Sequence, residues 1–264
     1  RRHTRFKCDW SSDVCSSDLT VAFLRSLIFT IFQWTITPVF TVISLMTFPF
    51  SRLTRYRIIT TWSRWVVRAA QVLCGIRYRV IGLENLPKEP CVILSKHQSA
   101  WETLAWQVIF PPQVWVMKRE LLWVPFFGWG LAMLSPIAID RKAGSRALRQ
   151  MAEQGRERMD SGFYIVIFPE GTRVAPGQRG AYHPGGAWLA VKAKALAVPV
   201  AHNAGECWRK NAFIKRAGLI TVSVGQPITT EGLSAAELNQ RIEDWIESEM
   251  PKLPQLQSSH DLPR

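Results

Sequence analysis

The sequence predicts an α/β protein: a single layered domain with a mostly buried sheet flanked by helices. A hydrophobic N-terminal membrane helix or helical hairpin and an amphipathic helix precede it. Three observations predict this. From residue 76 onward, apolar runs of strand length alternate with helix-like stretches, the pattern of a layered sheet. From Ser26 to Ser51 not one residue is charged, and Arg25 and Arg52 bracket the run. Two polar strings, KHQSAWE at 96–102 and FPEGTR at 168–173, each follow directly on an apolar run.

Residues 1–19 are set aside from fold reasoning. The run from Asp9 to Leu19 is what a common short-read sequencing adapter gives when translated in one frame, and Arg1 to Arg5 match the same oligonucleotide. The native start is therefore expected to be lost. Without this stretch the net charge falls only from +13 to +12. Three cysteines then remain, Cys74, Cys91 and Cys207, with no CxxC spacing. Neither a disulfide frame nor a zinc site is indicated, which fits a reducing cytoplasm. Roughly 245 residues are enough for one sizeable core.

Residues 20–51 are expected to form a hydrophobic membrane anchor. Twenty-six uncharged residues exceed the roughly 20 a helix needs to span the hydrocarbon. Pro38 lies near the middle, so a kink or a shallow hairpin within one leaflet is the alternative to a full span. Residues 52–75 read as an amphipathic interfacial helix. Ile58, Ile59, Trp62, Trp65, Val66, Ala69, Val72 and Leu73 recur at spacings of three and four, with Arg55, Arg57, Arg64 and Arg68 interleaved. Tryptophan and arginine on one helix suit an anionic headgroup boundary; the plainer reading is a surface helix packed on the body. Gly75 is placed to end it. The basic balance also raises nucleic acid as a partner, but no nucleic-acid motif occurs and the hydrophobic front end points to lipid.

Residues 76–250 form the expected globular domain. Strands are predicted at 76–81, 91–94, 114–117, 136–139, 163–168, 198–201 and 219–224. Helices are predicted at 102–110, 126–134, 145–159, 186–195 and 234–250. Residues 251–264, with prolines and scattered polar residues, are expected to be a loose tail.

Chemistry is expected from four polar sites, each at the C-terminal end of a strand, where α/β sheets place ligands. His97 and Glu102 lie five positions apart, about 140° apart on a regular helix. They meet only if His97 sits in the loop and Glu102 in the first helical turn. Imidazole can then accept a proton from a hydroxyl, while a carboxylate on its other nitrogen sets the tautomer. The alternative is that Ser99 and Glu102 form a capping box and nothing more. In FPEGTR, Glu170 and Gly171 bend the chain and expose Thr172 and Arg173, and a guanidinium binds phosphate bidentately. Arg141, after Ile139 and Asp140, and Lys118, after the run 114–117, are further phosphate candidates. GxSxG, GxxxxGK[ST], HExxH and a GxGxxG after a strand are all missing.

These motifs resemble those of the bacterial lysophosphatidate acyltransferases (1-acyl-sn-glycerol-3-phosphate acyltransferases) of the glycerolipid acyltransferase superfamily, over about residues 20–250. His97 to Glu102 resembles the HX4D box, Ile139-Asp140-Arg141 the second, Phe168 to Arg173 the third, and Val198-Pro199-Val200 the fourth. The resemblance implies His97 as general base oriented by Glu102. It implies Lys118, Arg141, Glu170, Gly171, Thr172 and Arg173 on the acceptor side. It further implies transfer of a fatty acyl group from acyl-ACP or acyl-CoA to the sn-2 hydroxyl of lysophosphatidate, with no metal and no cofactor beyond that co-substrate. The expected location is the bacterial inner membrane, with the active site on the cytoplasmic face. The alternatives are another acceptor, such as a lyso-ornithine lipid, or a non-catalytic lipid-binding member of the fold. One departure is visible: the family's usual aspartate is Glu102 here, one methylene longer.

Overall fold

The computed structural model describes residues 10–140 and 144–254. It opens with a single helix, α1 (Trp10–Met46), 37 residues long, which begins inside the stretch set aside above and runs unbroken through Pro38. The hairpin alternative is thereby corrected: the chain does not turn back between 20 and 46. Residues 18–46 are long and apolar enough to cross a membrane; their most apolar 18-residue window has a mean hydropathy of 1.6 and is only 17% buried. Along α1 each of Ser26, Thr30, Thr35, Thr37, Thr41 and Ser44 donates its hydroxyl to the carbonyl four residues back. These hydroxyls are thus satisfied within the helix, as an apolar surrounding requires.

The amphipathic segment 52–75 is two helices rather than one. α2 (Arg52–Ile59) is N-capped by Ser51, and α3 (Thr61–Cys74) ends on Gly75, which takes the left-handed conformation at φ 68°. The buried stripe of α3 is Ser63, Val66, Val67, Ala70 and Cys74. Trp65 and Val72, expected on that stripe, point outward at 58% and 68% exposure. Residues 65 and 72 are seven apart and share a side about 100° from Val66, so α3 carries two apolar faces.

Among the described residues the sheet has seven strands: β1 (Ile76–Ile81), β2 (Val92–Ser95), β3 (Gln113–Lys118), β4 (Ile137–Ile139), β5 (Tyr164–Ile167), β6 (Ala197–His202) and β7 (Gly218–Val224). Their spatial order is β1-β7-β6-β2-β5-β3-β4, and every pairing is parallel except β6 with β7. β2, β5 and β6 are buried at every position, which demands cover on both faces. α4 (Trp101–Ile109) with α3 and α1 forms one group of covering helices; α6 (Ser145–Asp160), α7 (Gly185–Ala193) and α9 (Ala235–Glu249) form the other. α5 (Phe127–Ala132) lies against α1, and α8 (Ala204–Cys207) is one turn after β6. Ser234 and Glu237 cap α9 with a reciprocal box.

The tail is less loose than expected where it is described. Residues 250–252 form a 3-10 turn, Leu253 is buried, and Asn203 Nδ2 donates to the Pro254 carbonyl. Four neighbouring parallel strands, β2, β5, β3 and β4, end at one edge of the sheet, and the candidate residues follow those ends.

Candidate active site

His97 leaves β2 in an extended loop, and Glu102 falls in the first turn of α4. His97 Nδ1 and Glu102 Oε1 are 2.9 Å apart. The same oxygen accepts the backbone N–H groups of Gln98 at 2.9 Å and Ser99 at 2.7 Å. Glu102 is therefore both the imidazole's partner and the acceptor for the orphan donors at the helix start. The expected capping box forms only in part: Glu102 Oε1 takes the Ser99 N–H, whereas Ser99 Oγ serves Trp101 N rather than Glu102 N. Burial by itself would raise the pKa of Glu102, whose side chain is fully enclosed. The bond from the His97 imidazole and the backbone N–H donors oppose it, and the carboxyl is held below its ordinary value. As an anion Glu102 accepts from Nδ1–H, which leaves Nε2 with the lone pair.

His97 is fixed on its other sides as well. Its ring stacks on Phe168, with centroids 4.0 Å apart and planes 18° apart. Its N–H donates to Glu170 Oε2 at 2.9 Å, and its carbonyl accepts from Val174 N at 2.8 Å. The FPEGTR segment thus lies directly on the histidine loop, turned by Gly171 at φ 64°. Behind them His202, fully buried, accepts from Ala204 N at Nδ1, so its Nε2–H donates to the Lys96 carbonyl at 2.8 Å. Burial pushes His202 down in pKa, which agrees with a neutral ring.

A cavity of about 290 Å³ opens beside His97. His97, Phe168, Gly171 and Lys118 line its polar end. Leu104, Trp115, Leu131 and Leu134 line its apolar part, and α1 supplies Thr37, Phe40, Thr41 and Ser44 from one helical face. The Thr41 hydroxyl shares its one proton between the Thr37 carbonyl at 2.9 Å and the Phe126 carbonyl at 3.0 Å, joining α1 to the segment that leads into α5.

The expected residues are not all presented alike. Lys118 is exposed at the cavity rim, and Gly171 lines it. The Glu170 carboxylate is buried and engaged with Lys96 and the His97 N–H, away from the cavity lining. Thr172 is exposed and accepts from Lys210, which also reaches the Arg173 carbonyl. Arg173 is half-buried, and its side chain is not part of the cavity lining. Arg141 lies outside the described residues; Asp140 pairs with Arg119 at 3.5 Å. Sequence reasoning missed Lys96 and the hydroxyl-bearing face of α1. The spacing 37, 40, 41, 44 on one helix face was the available signal for the second.

An imidazole held by a carboxylate beside an apolar cavity is an arrangement that acyl transfer can use, and the comparisons with known proteins give the class. The model of the family described as Acyltransferase matches residues 77–203. The chain is 48% identical over 215 residues to the 1-acyl-sn-glycerol-3-phosphate acyltransferase of Pseudomonas aeruginosa, covering 79% of this chain and 84% of that protein. It is 32% identical over 179 residues to the human 1-acyl-sn-glycerol-3-phosphate acyltransferase beta, 66% of this chain and 64% of that one. Its fold is similar to that of the crystal structure of the 1-acyl-sn-glycerophosphate acyltransferase PlsC from Thermotoga maritima. The TM-score is 0.72 at 20% identity, over 88% of this chain and 97% of that one. The chain belongs to the acyltransferase family.

Proposed function

We propose that this enzyme transfers a fatty acyl group from acyl-ACP or acyl-CoA to the sn-2 hydroxyl of lysophosphatidate, giving phosphatidate. The observation that carries the proposal is the 2.9 Å contact of His97 Nδ1 with Glu102 beside an apolar cavity. The names of the relatives support the choice of acceptor.

His97 Nε2 takes the proton of the acceptor hydroxyl as its oxygen attacks the thioester carbonyl. The tetrahedral intermediate collapses with loss of the thiolate, and the proton on Nε2 passes to the departing sulfur. Glu102 stabilises the transient imidazolium, and base catalysis of this kind is worth about 10²–10⁴-fold. The apolar cavity receives an acyl chain. Lys118 at its rim, together with Arg173 and Arg141, holds the phosphate and sets which hydroxyl faces Nε2. The apolar outer face of α1 sits in the bilayer, at the cytoplasmic face of the inner membrane, so that substrate and product remain in lipid.

The test is a purified-enzyme assay of thioester consumption, offering lysophosphatidate with each donor in turn and then a phosphate-free lysolipid. Turnover with lysophosphatidate that His97→Ala abolishes, in a variant with unchanged circular dichroism, is the expected result. Equal rates with a lyso-ornithine lipid would reject the acceptor, and no thioester consumption with any acceptor would reject catalysis.

A further inference from the structure

Lys96 is a lysine with its charge inside the protein. Its backbone is held on both sides: the N–H donates to the Val200 carbonyl, and its own carbonyl accepts from His202. Its side chain is 1% exposed. A buried ammonium without partners costs several kcal/mol. Here all three donors are used, toward Glu170 Oε1 at 2.7 Å, Glu247 Oε1 at 2.8 Å and the Gln178 carbonyl at 3.3 Å.

The two carboxylates have different positions. Glu170 is fully buried and uses its second oxygen, Oε2, to accept the His97 N–H. Glu247 stands on α9, is 19% exposed, and also accepts from the Tyr182 hydroxyl at 2.8 Å. Burial and then that bond push the Tyr182 phenol up in pKa, so it remains a donor. One cation therefore sits between two anions, and without it Glu170 would be an uncompensated buried charge facing a second carboxylate. Such a group moves or takes up a proton, and either change loosens its hold on the His97 backbone. Lys96, Glu170 and Glu247 do not line the cavity.

We infer that Lys96 is a positioning residue for His97, acting through Glu170, and that α9 belongs to the active site through Glu247. The inference rests on the reading of His97 as the base. No contact with substrate is involved, so the effect falls on kcat rather than on KM. A misplacement of the base on the order of 1 Å is worth up to about 100-fold in rate.

The test compares K96M, E247Q and the double variant, with kcat and both KM values measured alongside amide exchange of the peptide carrying His97. K96M is expected to lower kcat by about 10- to 100-fold, with both KM values unchanged and the His97 amide exchanging faster. E247Q is partly exposed and keeps its shape, so it is expected to fold and to lose kcat to a lesser extent. Because both act through one bond, the double variant should be no slower than K96M. Unchanged kcat in a folded K96M or E247Q, a loss that appears in KM, or losses that multiply in the double variant would overturn the inference. Should K96M not fold, E247Q decides alone. Absence of thioester consumption by the unmodified enzyme counts against the proposed function instead.

Discussion

Replacing Glu102 by glutamine separates its two jobs. Glu102 Oε1 accepts from His97 Nδ1, Gln98 N and Ser99 N, while Oε2 is buried without a hydrogen-bond partner among the described residues. In E102Q the amide oxygen can keep the two backbone donors, and the amide nitrogen takes the Oε2 position, where no bond is lost. What disappears is the negative charge beside the imidazolium. Opposite unit charges about 4 Å apart at an effective dielectric of about 20 attract by about 4 kcal/mol. The amide dipole retains part of this, leaving a loss of about 2–3 kcal/mol in transition-state stabilisation, the usual range for a charge-assisted bond. At 1.36 kcal/mol per decade, kcat should fall by about 30- to 150-fold. Steady-state kinetics with thermal melting provide the assay. E102A, by contrast, strands three buried N–H groups at about 1–3 kcal/mol each, and should fail mainly in stability. If E102Q retains kcat within threefold of the parent, the carboxylate is only a cap and the charge argument is wrong.

The lowered pKa of Glu102 gives a pH prediction whose sign follows from linkage. A carboxyl depressed in the folded state contributes stability that is complete above its ordinary value of 4.5 and is lost as pH falls toward the lower folded value. Melting temperature should therefore drop on acidification below that value, and less steeply in E102Q; equal slopes would refute the assignment. Gly130 lines the cavity beside Thr41 and Ser44 of α1, whose hydroxyls would lie 3.7 and 3.8 Å from a side chain's Cβ at that position, in ordinary contact. G130L should shift preference toward shorter acyl chains, by about fourfold in kcat/KM per excluded methylene at about 0.8 kcal/mol each; an unchanged chain-length profile would remove the cavity from acyl binding. Cys91 and Cys207 are buried with thiols pushed up to about 12, and Cys74 is also buried and raised. Iodoacetamide at pH 8 should leave turnover intact, and rapid inactivation of the folded enzyme would point to a reactive thiol.

The strands were legible because each is a short apolar run between turn signals, and all seven appear where those runs lie. Long-range partners were not. Lys96 reads locally as one more basic residue beside His97, and nothing in KHQSAWE announces a carboxylate 151 positions away on α9. Glu170 was expected on the acceptor side because its motif suggests phosphate chemistry, whereas its side chain turns inward, where Lys96 and the His97 N–H each take one of its oxygens. The pairing of His97 with Glu102 was readable from spacing and strand ends. Its merger with the helix cap was not, since one oxygen serving three donors is a matter of geometry. The joint between α2 and α3 escaped notice because both sides of Thr60 continue the same arginine and tryptophan pattern.

Thr37, Phe40, Thr41 and Ser44 make the first helix a wall of the chamber beside His97 as well as a greasy handle. Trimming the protein to a detergent-free fragment that starts after residue 51 would strip that side away and lay the chamber bare to water. The apolar outer surface and the wall of the chamber therefore belong to the same stretch of chain, and a change made to one reaches the other.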